Sequence, residues 1–468
     1  MPAPPAGPPP RFLTGHLADF RADRLGFFLR CAREYGDVVP LRLPGRRVLL
    51  FSRPDLIEQV LVAQAANFVK HFGLRMYRPI LGDGLVTSEG GFWRRQRKLA
   101  APAFHPGRLA AYAPDMTAAA GRMVDGWASA AAAAGGGPVV RDVHDDLMRL
   151  TLDIACKTLF GADACPDPHA VGAAMESALR AIDARFARLL PVPDWLPTPA
   201  NLRLRRAVRA LDSVVGGIIA RRRAAATGAA PAHDLLSVLL RARDEDGSAM
   251  TDQQLLDEAR TIFLAGHETT ALALTYALYL LADHPDAQGT LRRELDGVLG
   301  GRPPTHADLP RLPYARQVVG EAMRLYPPAD VLGREAVADC TVCGVPVPRG
   351  TTVFMSQWAV HRDPRYFPEP EAFDPGRWTD AFERALPRFA YFPFGGGPRV
   401  CVGQAFAIAE ASLVLAAVCQ RVRLDPDPAF RLELRPSITL RPRHGVRVLV
   451  RAAEADQRKA GRERLTAP

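Results

Sequence analysis

Apolar positions along the chain recur mostly at the spacing of α-helices, with short stretches of strand-like alternation. A helical pattern begins near Leu25, and two alternating stretches, Val38 to Leu43 and Arg47 to Phe51, follow it on either side of Pro44-Gly45. Side chains repeat about every 3.6 residues on a helix and every second residue on a strand, so this predicts a helix followed by a β-hairpin. From Asp55 to about Leu281 the helical pattern dominates, which predicts a mainly α fold with small β-sheets.

Glycine and proline divide this long helical region into separate segments. The run from Ala130 to Gly137 predicts a surface loop. Thr251 to Gln254 has the sequence of a capping box, which predicts the start of a long helix that ends near His284-Pro285. Short strands are expected at Val345 to Val347 and Thr352 to Met355.

The domain organisation predicted from these patterns is simple. We expect a Pro-rich N-terminal segment over residues 1–24, a single domain over residues 25–453, and a polar, disordered tail over residues 454–468. With 48% hydrophobic and 24% charged residues, the composition is that of a globular protein with a large core. The N-terminus shows no signal peptide or membrane anchor, so we expect a cytoplasmic protein.

Charge and cysteine content exclude several other classes of protein. The formal net charge is +10, but the arginines lack the aromatic interleaving of a nucleic-acid binder, so no nucleic-acid partner is expected. Seven widely spread cysteines argue against a disulfide framework and for a reducing compartment. Cys340 and Cys343 form a C-x-x-C pair without a second pair or a histidine cluster, and we interpret them as part of a turn.

A glycine-rich segment from Phe394 to Gly403 precedes an apolar helix and contains Cys401. Near a helix N-terminus, free N–H groups and the helix dipole stabilise a thiolate, the form of cysteine that binds a metal. A cysteine beside a helix is more often a small core residue. The whole segment, however, resembles the haem-ligand loop of cytochrome P450 enzymes. The resemblance implies that Cys401 binds the haem iron and that the residues around it contact the haem, namely Phe394, Gly395, Arg399 and Gly403.

Glu321 and Arg324 stand at i and i+3 on a predicted helix, an arrangement that alone indicates a surface ion pair. In the family that the chain resembles, this pair is buried and is joined by an arginine from a later Pro-rich loop. Arg377, in Phe373 to Trp378, matches that position. The resemblance implies a structural role for these three residues in fixing the ligand loop.

On the predicted long helix, Ala265 and Thr269 share one face with Glu268 beside them. A threonine there can bond back to the carbonyl four residues earlier and leave a groove, although an ordinary core helix would show the same pattern. Ala265 to Thr270 resembles the oxygen-binding groove of cytochrome P450 enzymes. By that resemblance Thr269 binds dioxygen or its water and Glu268 relays protons. His267 has no second ligand at i+4 and is not expected to bind a metal.

Trp93 and Arg97 stand four residues apart on another predicted helix. An arginine lying over an indole ring would explain them equally well. In the same family this W-x-x-x-R pattern binds a haem propionate, and Arg334 is a further candidate for a propionate contact. The four motifs occur in the family order, and the resemblance extends from about Phe12 to Val450.

The resemblance implies the cytochrome P450 fold, a large helical array around haem b with small β-sheets at one side. It also implies a monooxygenase that inserts one atom of dioxygen into an apolar small molecule, with a terpenoid or a fatty-acyl compound expected as the substrate. Electrons would come from a ferredoxin and an NAD(P)H-linked ferredoxin reductase, and an acidic ferredoxin would dock on Arg94, Arg95, Lys98 and Arg388. The alternatives are a haem-thiolate isomerase or peroxygenase, and a haem sensor without catalysis.

The substrate pocket is expected at three segments, residues 71–85, 182–195 and 329–332. Arg75 and Arg78 lie in the first segment and are candidates to bind a substrate carboxylate, although a solvated loop arginine is the simpler interpretation.

Overall fold

The computed structural model describes residues 6–161, 168–186, 195–225 and 234–452 of the chain. The predicted tail over residues 454–468 lies outside the described residues, as do residues 187–194 of the second predicted pocket segment. No described helix has both the length and the apolar character needed to cross a membrane.

Helices dominate the described residues, as the sequence predicts. In chain order the α-helices are α1 (Leu17–Ala22), α2 (Arg24–Tyr35), α3 (Pro54–Glu58), α4 (Phe72–Arg75), α5 (Arg78–Leu81), α6 (Gly90–Ala100), α7 (Pro106–Ala133), α8 (Val143–Phe160), α9 (Pro168–Phe186), α10 (Pro199–Ala225), α11 (Leu235–Arg241), α12 (Asp252–Asp283), α13 (Pro285–Leu299), α14 (Pro313–Leu325), α15 (Gln357–Val360), α16 (Asp380–Ala385) and α17 (Gln404–Cys419).

The strands form small sheets. They are β1 (Val38–Leu43), β2 (Arg46–Phe51), β3 (Phe68–Lys70), β4 (Val139–Asp142), β5 (Leu332–Ala336), β6 (Cys340–Val342), β7 (Val345–Val347), β8 (Thr352–Met355), β9 (Val422–Pro426), β10 (Leu434–Pro436), β11 (Leu440–Pro442) and β12 (Arg447–Ala452). The largest sheet has the order β1-β2-β8-β5-β3, and the others are β4-β12-β9, β6-β7 and β10-β11.

The chain divides into two compact units, and the first comprises residues up to Arg75, Gly320–Cys401 and Leu434–Arg441. Its centre is the five-stranded sheet. Successive side chains of β8 point to opposite faces of that sheet, so Phe354 packs with Phe28 on one face while Val353 and Met355 join the core on the other. Apolar side chains thus cover both faces of this sheet.

The second unit comprises Met76–Val319, Val402–Glu433 and the chain from Pro442 onwards. Helix α12 is its longest helix and packs against α8, where the rings of Phe160 and Phe263 stack at 4.3 Å. Side chains of α12 are buried on all sides of the helix, which is typical of a helix inside a large core. The predicted capping box is confirmed, because Thr251 Oγ1 accepts a hydrogen bond from the Gln254 N–H and Gln254 Oε1 accepts one from the Thr251 N–H.

Several predictions of local structure are confirmed and one is wrong. The sequence predicts a helix near Leu25, a hairpin and two later strands, and the structure has α2, the β1–β2 hairpin, β7 and β8 at these places. Cys343 lies in the turn between β6 and β7, as expected, and its sulfur is not part of a disulfide. The predicted loop over Ala130 to Gly137 is too long, since α7 continues to Ala133. Alanine is the best helix former, so the helix ends only where the glycines begin.

Candidate active site

Cys401 lies at the end of a tightly folded loop in the first unit. The N–H of Cys401 donates to the carbonyl oxygen of Phe394 at 3.0 Å, and a 3₁₀ turn at Gly397–Arg399 lies between them. Cys401 is exposed, and its sulfur is not part of a disulfide. Helix α17 begins three residues later at Gln404, so Cys401 stands just before a helix N-terminus, as the sequence predicts. The loop therefore presents a single thiol sulfur on a fixed backbone.

The loop needs glycines for two reasons. Two of its residues have a left-handed backbone, and at two of them neighbouring atoms leave no space for a Cβ. Gly395 has φ +70° and Gly397 has φ +65°. A Cβ on Gly396 would stand 2.1 Å from the ring of Phe389, and a Cβ on Gly397 would stand 1.9 Å from the carbonyl oxygen of Leu61. Any side chain at these positions would displace the backbone that carries Cys401.

We expect Gly397→Ala to lower the free energy of unfolding by about 3 kcal/mol, because a positive φ and a clash with backbone both oppose the new Cβ. The matched control is Gly45→Ala in the β1–β2 turn, where φ is +67° and no atom lies within 4 Å of the added Cβ. That variant should lose only about 1 kcal/mol. Urea unfolding measures both values, and equal losses would contradict the role of the Leu61 contact.

Glu321, Arg324 and Arg377 are brought together in the first unit. Both oxygens of Glu321 accept from Arg324 at 2.8 Å, and Oε1 also accepts from Arg377 Nε at 2.9 Å. The side chains of Glu321 and Arg324 are fully buried. The Glu321 carboxylate also accepts from Trp378 Nε1 at 2.9 Å and from the Asp374 N–H at 3.1 Å, so one carboxylate organises the whole Pro-rich loop.

Arg324 uses all of its donor nitrogens. Besides the pair with Glu321, it donates to the carbonyl oxygens of His361, Pro370 and Ala372 at 2.9, 2.6 and 2.8 Å. A guanidinium offers five N–H donors in a fixed fork, which suits this set of acceptors and which lysine cannot reproduce.

Three residues that the sequence did not indicate hold the chain before the ligand loop. The buried imidazole of His361 accepts from the Phe392 N–H through Nε2 at 3.1 Å, and Gln357 donates to the Phe392 carbonyl oxygen at 3.0 Å. The Tyr391 hydroxyl donates to the Gly320 carbonyl oxygen at 2.9 Å. Their contacts with backbone atoms far along the chain leave no motif in the sequence.

Burial lowers the pKa of His361 well below its ordinary value of 6.5, and the neighbouring Arg324 and Arg362 lower it further. The unfolded chain therefore binds a proton below pH 6.5 that the folded chain does not bind, so the free energy of unfolding decreases as the pH falls. At 1.36 kcal/mol per pH unit, this loss is about 2 kcal/mol at pH 5.

We expect His361→Gln to remove this pH dependence while its amide oxygen still accepts from Phe392. Urea unfolding at pH 7 and pH 5 tests it. The decrease for the wild type should exceed that for the variant by about 2 kcal/mol, and equal decreases would show that His361 is protonated in the folded protein.

Helix α12 in the second unit contains the predicted Ala265 to Thr270 segment. The Thr269 hydroxyl donates to the Ala265 carbonyl oxygen at 2.8 Å, which is the back-bond that the sequence predicts. Ala265 is exposed and Gly266 and Thr269 are partly exposed on a helix that is otherwise largely buried. This short stretch is open to a small molecule on one side of the helix.

Ionisable side chains surround this stretch. Glu268 is buried, and the His267 ring contacts the Phe263 carbonyl oxygen at 2.5 Å, so local bonding explains this histidine. Glu410 of α17 is fully buried beside Thr270, and burial raises its pKa well above the ordinary range. The sequence analysis did not single out Glu410 as a site residue. The only feature that could have indicated it is its position as a single carboxylate within an apolar helix.

The basic candidates for binding an anionic group lie in both units. Trp93 and Arg97 lie on α6, one turn apart, with the Trp93 ring buried. In the first unit, Arg334 of β5 lies opposite Lys70 in the ladder between β5 and β3. Lys70 is buried, and the sequence analysis did not single it out. Burial, Arg334 and Arg75 lower the pKa of the adjacent His71 to about 3. A neutral imidazole among cations suits a carboxylate, so these residues of the first unit fit a haem propionate and Cys401 of the same unit fits a thiolate ligand.

Several arginines predicted to bind partners or substrate are already in ion pairs. Arg75 pairs with Glu335 at 2.9 Å and Arg78 with Asp83 at 2.7 Å. Among the residues expected to contact a ferredoxin, Arg388 pairs with Glu58 at 2.9 Å, while Arg95 and Lys98 contact acidic residues that follow α11. Each must exchange an internal partner before it binds another anion.

The family model described as cytochrome P450 matches residues 5–448 of the chain. Cyclooctatin synthase of Streptomyces melanosporofaciens is 37% identical over 88% of this chain and 88% of its own length. Pentalenene oxygenase of Streptomyces avermitilis is 34% identical over 86% of this chain and 88% of its own. Among solved structures, the haem domain of cytochrome P450DA superposes with a TM-score of 0.86 at 27% identity, covering 97% of this chain and 99% of the other.

Proposed function

Since this chain belongs to the cytochrome P450 family, has its fold and is a cytochrome P450 monooxygenase, we propose that it hydroxylates a terpenoid with electrons from a ferredoxin. The observation that carries the proposal is the exposed Cys401 thiol on a loop that tolerates only glycine at Gly395 and Gly397. The terpenoid substrate rests on the names of the two bacterial relatives. A haem-thiolate isomerase, a peroxygenase or a sensor is the alternative.

Haem b, when bound through the Cys401 thiolate, would supply the activation of dioxygen. We assign Trp93, Arg97 and Arg334 to its propionates. Contacts with the porphyrin are assigned to the ligand loop and the open stretch of α12, at Phe394, Gly395, Arg399, Gly403 and Ala265. Glu321, Arg324 and Arg377 act indirectly, because their buried network fixes the chain on which Cys401 lies.

Proton control is assigned to Glu268 and Thr269. While the Thr269 hydroxyl donates its hydrogen to the Ala265 carbonyl oxygen, the lone pairs of its oxygen can accept a hydrogen bond at the open side of α12. Glu268, the residue before Thr269 on the helix, would supply the protons that the reaction consumes. These steps need a hydroxyl and a carboxyl at adjacent positions, and a sensor has no use for them.

We expect the Thr269→Ala variant to bind substrate normally but to consume electrons without forming product, so that product formed per NADPH consumed is lower by about ten-fold or more. The matched control is Thr275→Ala, which loses the same kind of back-bond, to Ala271 at 2.7 Å, on the buried part of α12. Its coupling should stay near that of the wild type. Equal coupling in the wild type and the Thr269 variant would contradict the assignment.

The proposed function is tested with the purified protein, first by the spectrum of its reduced carbon monoxide complex. A strongly red-shifted Soret band is expected for a thiolate ligand, and a histidine-type band would overturn the assignment of Cys401. Cyclic terpenoid hydrocarbons and fatty acids are then compared by spectral titration and by product formation with ferredoxin, reductase and NADPH. Turnover of fatty acids alone would overturn the terpenoid assignment, and turnover without an electron donor would favour the isomerase or peroxygenase.

A further inference from the structure

An acidic segment of the second unit lies against the basic side of α6. The segment follows α11 and comprises Asp244 to Ser248, with three consecutive carboxylates at Asp244, Glu245 and Asp246. We call it the acidic turn. It contacts Arg95 and Lys98, which are two of the cations expected to bind an acidic electron donor.

The contacts of the acidic turn with α6 are specific. Arg95 Nε donates to Asp244 Oδ2 at 2.8 Å, and its Nη2 donates to the Ser248 hydroxyl at 2.8 Å and to the Ala249 carbonyl oxygen at 3.3 Å. Lys98 Nζ forms an ion pair with Glu245. Arg95 is thus bound on several sides by one short segment, while Arg94 beside it is exposed.

The acidic turn is also closed upon itself. The Asp244 N–H donates to the Ser248 carbonyl oxygen at 2.9 Å and the Gly247 N–H donates to the Asp244 carbonyl oxygen at 2.9 Å. Gly247 has φ +78°, a conformation that glycine adopts without strain. The Asp246 carboxylate accepts from the Ser248 N–H at 2.8 Å. Its shape is therefore set by its own hydrogen bonds, and its carboxylates are held in place opposite the cations.

We propose that the acidic turn is a built-in competitor for the electron donor, occupying the cations of α6 that an acidic ferredoxin would bind. This inference rests on the proposed function, in which the donor is a ferredoxin. An arriving donor exchanges one set of carboxylates for another at Arg95 and Lys98. The turn consequently lowers the association rate of acidic donors. It favours a donor whose carboxylates bind Arg95 and Lys98 more strongly than the carboxylates of the turn do.

Exchange is feasible because solvent reaches the contact. The side chains of Lys98 and Glu245 are 60% and 85% exposed, and such ion pairs are weakened by water and salt. The Arg95–Asp244 pair is less exposed, at 22% for each side chain. Loss of the outer pair can therefore precede loss of the inner one.

The test measures the rate of the first electron transfer to the full chain from an acidic [2Fe–2S] ferredoxin, followed by carbon monoxide trapping in a stopped-flow instrument. The variant is Asp244→Asn with Glu245→Gln, which keeps the hydrogen-bonding shape of the turn and removes two negative charges. The matched control is Asp286→Asn with Asp296→Asn on α13, two exposed carboxylates with the same change of charge.

We expect the acidic-turn variant to be reduced about three- to ten-fold faster than the wild type at low ionic strength, with a steeper decrease as salt is added. The α13 control should change by less than two-fold, and all three proteins should be reduced by dithionite at the same rate. Equal rates in the two variants, or no gain in either, would overturn the inference and leave the proposed function intact. A wild type that accepts electrons from dithionite but from no acidic ferredoxin would overturn the ferredoxin assignment and this inference together.

Discussion

Replacing Cys401 with serine should abolish the red-shifted band of the reduced carbon monoxide complex and lower monooxygenase turnover by about a thousand-fold or more. Serine has nearly the same size, so the loop with its hydrogen bond to Phe394 should still fold. A hydroxyl does not ionise as a thiol does and donates less electron density to the iron, which removes the push that favours O–O cleavage. A thousand-fold loss corresponds to about 4 kcal/mol in the activation barrier.

The control for this prediction is Cys343→Ser, at an exposed thiol in the turn between β6 and β7. It should keep the wild-type spectrum and turnover, because Cys343 belongs to the two-stranded β6–β7 hairpin and not to the loop that carries Cys401. Spectra and product formation are measured on equal amounts of haem. A thiolate-type band that survived in the Cys401 variant would mean that another cysteine is the ligand.

The ligand loop was predictable because its chemistry is contiguous in the sequence. Phe394 to Gly403 carries the thiol and the glycines within ten residues, and Thr269 lies four residues after the carbonyl that it contacts. Local geometry then decides the outcome. The sequence could not say why each glycine is needed, since the atoms that exclude a Cβ belong to Leu61 and Phe389.

The remaining parts of the site depend on pairings that span long distances along the chain. The sequence shows no partner for the cations of α6. In the structure Arg95 pairs with Asp244, 149 positions away, and Lys98 pairs with Glu245, 147 positions away. Glu410 and Lys70 carry no motif at all, and only burial distinguishes them from surface residues. Side-chain type predicts what a residue can do, whereas the partner that it meets is fixed by the fold.

The largest expected effect on stability belongs to Glu321→Gln. The substitution keeps the shape of the side chain but removes the negative charge that contacts both Arg324 and Arg377, whose side chains are 0% and 7% exposed. Leaving a buried charge without its counter-charge costs about 3–5 kcal/mol. We expect urea unfolding to show a loss of this size, together with weaker retention of haem, because the Pro-rich loop loses its hold on α14.

The matched control is Asp145→Asn, which breaks the ion pair with Arg149 at the start of α8, where both side chains are more than half exposed. Exposed helical pairs contribute about 0.5 kcal/mol or less, so this variant should unfold almost as the wild type does. Arg324→Lys provides a second test. An ammonium has only three N–H donors, too few for the carboxylate and the three carbonyl oxygens that Arg324 contacts, so this variant should be less stable although it keeps the charge. If both Glu321→Gln and Arg324→Lys unfolded within about 1 kcal/mol of the wild type, the buried network would not hold the loop, since each change breaks it by a different route.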